Sequence, residues 1–110
     1  MDQPAAIDAL SALAHDTRLE IFRLLVQRGP KGTPAMEVGR LLDIKPSTLS
    51  GHLATLKRAG LVSAERQHRE VQYAPRIDAV NGLVRFLLDD CCGGDDGACA
   101  GGDVTVGQCT

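Results

Sequence analysis

The stretch KPSTLSGHLATLKRAG, residues 45–60, constrains the fold more than any other part of the chain. Pro46 suits the first turn of a helix, where the N–H it lacks would have no intrahelical partner. Gly60 suits the residue just past a helix end, where a left-handed backbone stops it. Leu49, Leu53 and Leu56, followed by Ala59, recur at helical spacing and make one apolar stripe that has to face a core. At about 100° per residue, Ser47, Gly51, Ala54, Thr55 and Arg58 fall on the opposite face. Thr48 and His52 flank the stripe on one side, Ser50 and Lys57 on the other. The outward N-terminal half is therefore small and hydroxylated, and the C-terminal half is cationic. Small residues let a helix approach base edges, hydroxyls bond to bases or phosphates, and cations hold the backbone. Alone, the pattern also describes an ordinary amphipathic surface helix, and the flanking segments decide between the two.

Upstream, residues 4–14 carry Ile7, Leu10 and Leu13 at spacing three, backed by Ala6 and Ala9, which predicts a short helix with a narrow stripe. His15 and Asp16 interrupt it, and either suits the cap of a second helix over residues 17–28. That helix holds Leu19, Ile21, Phe22, Leu24, Leu25 and Val26, so it is expected to be contacted on several sides. The sequence Gly29-Pro30-Lys31-Gly32 reads as a turn. Thr33 reads as an N-cap with Pro34 at the first helical position. Ala35, Val38, Leu41 and Leu42 give the inward face of a third helix ending near Asp43. Two short helices joined by a tight turn, the second exposing small polar residues, make a helix-turn-helix.

Downstream of Gly60 the period changes. Leu61, Val62, Ala64 and Arg66 lead to Gln67-His68-Arg69, and Val71 and Tyr73 then alternate with polar residues until Pro75. This reads as a two-stranded hairpin with a basic tip. A last helix follows with Ile77, Val80, Val84, Leu87 and Leu88 at helical spacing. The expected class is mainly α with a small β-hairpin wing. This is a winged helix-turn-helix, with four helices, two strands and a final helix over residues 1–90. Residues 91–110, rich in Gly and Asp, do not have the composition to bury a core and read as a flexible tail.

The formal net charge of −2 looks wrong for a DNA binder until it is divided along the chain. Residues 1–30 hold three basic and four acidic groups, residues 31–76 eight basic and four acidic, and residues 77–110 one basic and six acidic. Positive charge sits around the reading helix, and the acidic tail hides it in the total. With no Trp and only 3% aromatic residues, binding of single strands by base stacking is not expected. No apolar run reaches membrane-spanning length and no basic-then-apolar leader is read, so no membrane partner is expected. The expected compartment is the cytoplasm, with the four cysteines as thiols.

Residues 13–28, LAHDTRLEIFRLLVQR, together with residues 47–62, STLSGHLATLKRAGLV, resemble the ArsR/SmtB family of bacterial metalloregulatory repressors. The resemblance spans about residues 5–88. It implies a homodimer paired through its first and last helices. It also implies binding to double-stranded operator DNA near a promoter, and release when a metal or metalloid binds. It carries DNA roles to Ser47, Thr48, Ser50, Gly51 and His52 on the helix and to Arg66, His68 and Arg69 in the wing. His52 equally suits packing between helices, and the wing cations also suit a solvated turn.

Two metal sites found in the family are absent here. The helix before the reading helix, residues 34–43, has no Cys, and residues 77–88 contain Asp78 but no His. There remain Cys91, Cys92, Cys99 and Cys109. Soft thiolates select thiophilic ions. Trivalent arsenic or antimony takes three thiolates in a pyramid. Gly93 and Gly94 would let the adjacent thiols of Cys91 and Cys92 turn to one side, and Gly97 would let Cys99 fold back as the third ligand. A vicinal pair followed by a third Cys also resembles a subset of the family that responds to arsenite or its methylated form. The expected effector is therefore trivalent arsenic, with antimonite as a further candidate. Cys109 would complete a four-thiolate site for zinc, cadmium or lead. A disulfide from Cys91 or Cys92 to Cys99 would make a redox switch, and a tail without sensory role also fits. No CxxC or phosphate-binding loop is present, so an enzyme such as an arsenate reductase is not expected.

Overall fold

The computed structural model describes residues 1–89. Cys91, Cys92, Cys99 and Cys109, and with them the expected tail, lie outside the described residues. The elements run α1 (Gln3–Leu13), α2 (Asp16–Arg28), β1 (Thr33–Pro34), α3 (Ala35–Leu42), α4 (Pro46–Arg58), β2 (Val62–Gln67), β3 (Glu70–Pro75) and α5 (Ile77–Leu88).

Helix α4 is the element on which the core closes. Lys45 is its extended N-cap and Pro46 its first residue. Gly60, with φ +81°, takes the chain out of the helix in the left-handed region. Leu49, Leu53 and Leu56 are buried together with Ile21, Phe22 and Leu25 of α2, Val38 of α3, and Leu61 and Val62. Helix α3 ends on Asp43 in a left-handed conformation, φ 57°, and the Ile44 N–H donates to the Gly39 carbonyl at 2.9 Å. That hydrogen-bonded stop makes the tight turn between the two helices. Gly39 permits their approach. A Cβ there would lie 3.1 Å from the Ile44 carbonyl oxygen and 3.3 Å from Leu49 Cδ2.

The structure corrects expectations at Thr33 and Pro34, in α1 and in α3. Thr33 is not an N-cap and Pro34 is not the first helical residue. They form β1, pairing with Tyr73 and Gln72, and Pro34 is itself the N-cap of α3. The wing is therefore part of a three-stranded antiparallel sheet in the order β1-β3-β2. Gly32, φ +96°, brings the chain close enough for this pairing, since its Cβ position is 3.2 Å from that of Gln72. In α1 the packing face is Ala6, Ala9 and Ala12, whereas Ile7 and Leu10 of the expected stripe are 55% and 43% exposed. Alanines let the helix axis lie close against its neighbours, and the larger side chains beside them find no cover among the described residues. Helix α2 is contacted on several sides as expected, by α1, α3, α4 and β3, with Leu19 and Val26 left exposed. In α3, Leu41 is exposed, leaving Val38 buried and Ala35 and Leu42 packed partly against the core.

The hairpin forms as expected. Gln67 pairs with Glu70 across a two-residue turn, and His68 supplies the left-handed backbone at φ 58°. Histidine is among the non-glycine residues that adopt this conformation more readily. Helix α5 buries only Leu83, with Val80 and Phe86 packed partly against the core, while Ile77, Leu87 and Leu88 are exposed. It lies beside α1. No helix among the described residues is long and apolar enough to cross a membrane.

Candidate nucleic-acid interface

The apolar stripe of α4 is inside, so its other face is outside. Ser47, Thr48, Ser50, Gly51 and Ala54 are all exposed. A Cβ added at Gly51 would meet nothing within 4 Å, so packing does not require a glycine there. What glycine does supply is a flat spot for close approach from outside. Thr55 was expected outward; it is half-buried and its Oγ1 donates to the Gly51 carbonyl at 3.1 Å. The first turn of α4 has no acidic residue and no side chain caps its N–H groups. Those donors, at the positive end of the helix dipole, suit phosphate oxygens.

Charge pairing sharpens this surface. Arg28 and Arg40 both approach Glu37, at 3.6 and 2.6 Å, and Arg76 approaches Asp78 at 3.2 Å. The hydrogen bond from Arg40 holds the Glu37 carboxyl below its ordinary range, and that from Arg76 does the same for Asp78. Lys45, Lys57 and Arg58 on α4 and Arg66 and Arg69 in the wing are exposed and have no ion-pair partner among the described residues. These five border the outward face of α4 and the tip of the wing, where they can meet a polyanion.

His52 stands apart from the other α4 residues assigned a DNA role. It is half-buried, and its ring lies 4.8 Å from that of His15, centroid to centroid, tilted by 53°. Burial, and then the neighbouring His15 and Arg18, hold its pKa below the ordinary histidine value. His15 is the N-cap of α2, its Nδ1 accepting the Thr17 N–H at 3.1 Å. The structure thus places His52 in an interhelical contact at the α1–α2 corner. Ser47, Thr48, Ser50 and Gly51 are gathered on the open face.

In the wing, Arg66, His68 and Arg69 are exposed at the tip. Val62, Ala64 and Arg66 alternate onto the same sheet face as Val71 and Tyr73, so Arg66 extends the core-facing side beyond the core. Glu65 and Glu70 stand in the same strands, so the basic character is confined to the end of the hairpin.

Among the described residues, no group of three or more His, Cys, Asp or Glu side chains is placed to hold a metal ion. The three expected thiol ligands lie beyond those residues. Their donor set, three soft thiolates, suits trivalent arsenic.

Sequence reasoning missed three residues that shape this interface. Gly39 sets the α3–α4 approach, and its signal was a glycine inside a helical pattern. His15 was read only as one of two caps, and its ring contact with His52 had no local signal. Arg18, whose Nε donates to the Ala12 carbonyl at 2.7 Å, ties α2 to the end of α1.

Comparison with known proteins fits this geometry. A helix-turn-helix domain family matches residues 13–63. The regulator YgaV of Escherichia coli K12 is 33% identical over 91 residues, covering 83% of this chain and 88% of that protein. A Halobacterium salinarum protein named for repression of an arsenical resistance operon is 37% identical over 78 residues, covering 69% of this chain and 60% of its own length. Among solved structures, an ArsR-like regulator from Rhodococcus sp. RHA1 superposes with a TM-score of 0.73 at 23% identity, covering 88% of this chain and 89% of that one. A homodimeric winged helix-turn-helix DNA-binding domain from Mycobacterium bovis gives 0.65 at 28% identity, covering 79% and 81%. The relatives are transcriptional regulators and not enzymes, and this chain belongs to the ArsR family of winged helix-turn-helix, DNA-binding transcriptional regulators.

Proposed function

We propose that this protein is a homodimeric, cytoplasmic repressor of an arsenic-resistance operon. It is released from its operator when trivalent arsenic binds Cys91, Cys92 and Cys99, with antimonite as a second effector. The observation that carries the DNA part is the outward face of α4: small, hydroxylated, free of acidic residues in its first turn and bordered by unpaired cations. Ser47, Thr48, Ser50 and Gly51 meet base edges or nearby phosphates, and Arg66, His68 and Arg69 hold the backbone beside them.

The dimer part rests on apolar residues of α1 and α5 that are exposed among the described residues, Ile7, Leu10, Ile77 and Leu87, on two helices in mutual contact. Its support is the homodimeric Mycobacterium bovis domain. Pairing through these helices sets two α4 helices about one turn of DNA apart, on an imperfect palindrome.

The arsenic part rests on three thiols that follow α5 in the sequence, and on the name of the Halobacterium relative. Thiol ligation there acts on α5, a dimer element. It shifts subunit orientation, and with it the spacing of the two reading helices.

The test is retention of the native promoter DNA, titrated with arsenite, antimonite, cadmium, zinc and peroxide. Release is expected at the lowest concentration with arsenite or antimonite. Replacing Cys91, Cys92 or Cys99 by Ser is expected to leave DNA binding intact and abolish release, while Cys109→Ser behaves as wild type. Release that persists with Cys91 and Cys92 both replaced removes the thiols as sensor. Release by peroxide alone makes them a redox switch, and release by cadmium or zinc alone a divalent-metal site.

A further inference from the structure

The corner where α1, α2 and α4 meet is held by one connected set of contacts. The Ala12 carbonyl near the end of α1 accepts from Arg18 of α2 at 2.7 Å. His15 starts α2 by accepting the Thr17 N–H on Nδ1, and its ring rests against that of His52 on α4. His52 is one residue from Gly51 and two from Ser50, both on the open face. The corner therefore connects the first helix directly to the turn of α4 that carries the DNA-facing residues.

We propose that His15 and His52 form a positioning pair that holds the reading helix in its DNA-binding orientation only while both rings are neutral, so that acidification weakens operator binding. This inference rests on α4 being the DNA-contacting helix.

The charged groups around His52 favour its neutral form. From α2, Arg18 adds a cation beside His52, and from the α1–α2 corner comes His15 itself. Helix α1 offers the Ala12 carbonyl, already taken by Arg18, and its Asp8 lies beside Arg58 at the far end of α4. The charges of α3, Glu37 and Arg40, pair with each other along that helix, and the α3–α4 groove that Arg40 lines is not lined by His52. Strand β2 packs on α4 as well, and its charged residues Glu65 and Arg66 are exposed. A proton on His52 thus enters a half-buried seat facing a second imidazole and a guanidinium. A proton on His15 Nδ1 removes the acceptor of the α2 cap. Either change drives the rings apart, and the turn of α4 bearing Ser50 and Gly51 moves with His52.

The experiment is fluorescence anisotropy of the full chain with a labelled duplex spanning the promoter of its own gene. It is run at constant ionic strength from about pH 7.5 to about pH 5.5, across the ordinary histidine range. Wild-type affinity is expected to fall about tenfold over that span. His52→Gln removes the ring, and His15→Asn keeps a side chain that caps helices well while leaving α4 untouched. Both variants are expected to bind with little change over the same span. An acid loss retained in either corner variant overturns the pair. So does a wild-type affinity that rises on acidification and stops rising in His52→Gln, which would make the charged His52 a phosphate contact. Wild-type binding that does not change with pH overturns this inference alone. No binding at any pH overturns the assignment of α4 as well.

Discussion

Helices α4 and α5 carry the same sequence pattern and meet opposite fates. Each has an apolar stripe at helical spacing. In α4 all three leucines are covered by the chain itself. In α5, among the described residues, only Leu83 is, and Ile77 and Leu87 are exposed. A stripe shows that a face has to be covered and is silent on what covers it. The difference follows from position. Helix α4 lies between α2, α3, β2 and α1, whereas α5 is the last element and leans mainly on α1. An inner stripe that is fully covered frees the opposite face of α4 for an external ligand. A half-covered stripe on α5 calls for a second apolar surface, and α1 beside it presents Ile7 and Leu10 in the same condition.

The largest effect that separates the two helices is a truncation in each. Leu53, 1% exposed, is expected to cost about 2–5 kcal/mol on replacement by Ala. Leu87→Ala, at a residue 54% exposed, is expected to cost far less in the isolated chain. Its effect appears instead in sedimentation, where Leu87→Glu shifts the protein to monomer. Urea unfolding that finds equal costs for the two alanine variants breaks the comparison.

Glycine replacements sharpen it within the helix-turn-helix. Gly39→Ala forces a methyl against the Ile44 carbonyl and Leu49, and is expected to destabilise by about 1–3 kcal/mol. Gly51→Ala has open space and is expected to stabilise α4 by up to about 1 kcal/mol, while weakening operator binding. Thermal unfolding and DNA retention measured on the same samples check both signs. A Gly51→Ala chain with unchanged DNA affinity removes the close approach argued for that face.

The sequence showed α4 almost to the residue because its signals are local: Pro46 and Gly60 at the ends and three leucines between. Other features failed for the opposite reason. Thr33 and Pro34 are a strand only because Gln72 and Tyr73, far along the chain, come alongside them. Read locally, a threonine followed by proline is a helix start. In α1 two faces were available, one of alanines and one of Ile7 and Leu10. Closeness of approach to α2 and α4 selected the alanines, and periodicity does not report that distance. His52 flanks the stripe with Thr48. Only His15, on the other side of the corner, decides that it packs while Thr48 stays exposed.

Thr33 also gives a smaller test of nonlocal pairing. It is 2% exposed, and its Oγ1 has no hydrogen-bond partner among the described residues. A buried hydroxyl without a partner costs more than an apolar group of the same shape. Thr33→Val keeps the β-branch that β1 favours and is expected to stabilise by about 1 kcal/mol. A loss of stability in denaturant unfolding would mean that the hydroxyl is bonded after all.

The smallest expected effect lies in His52, and it reads the corner without DNA. Burial, His15 and Arg18 all lower its folded-state pKa. In the unfolded chain the ring titrates near the ordinary histidine value, about 6.5. Between the folded and unfolded values the unfolded chain holds more protons, so stability rises with pH there. The contribution is fully present above the unfolded value and is lost as pH falls from it through the folded value. The unfolding midpoint of wild type is therefore expected to drop on acidification through that window, and His52→Gln should flatten this part of the profile. A slope that survives His52→Gln would place the responsible proton elsewhere, and α4 would lose its one titratable tie to α2.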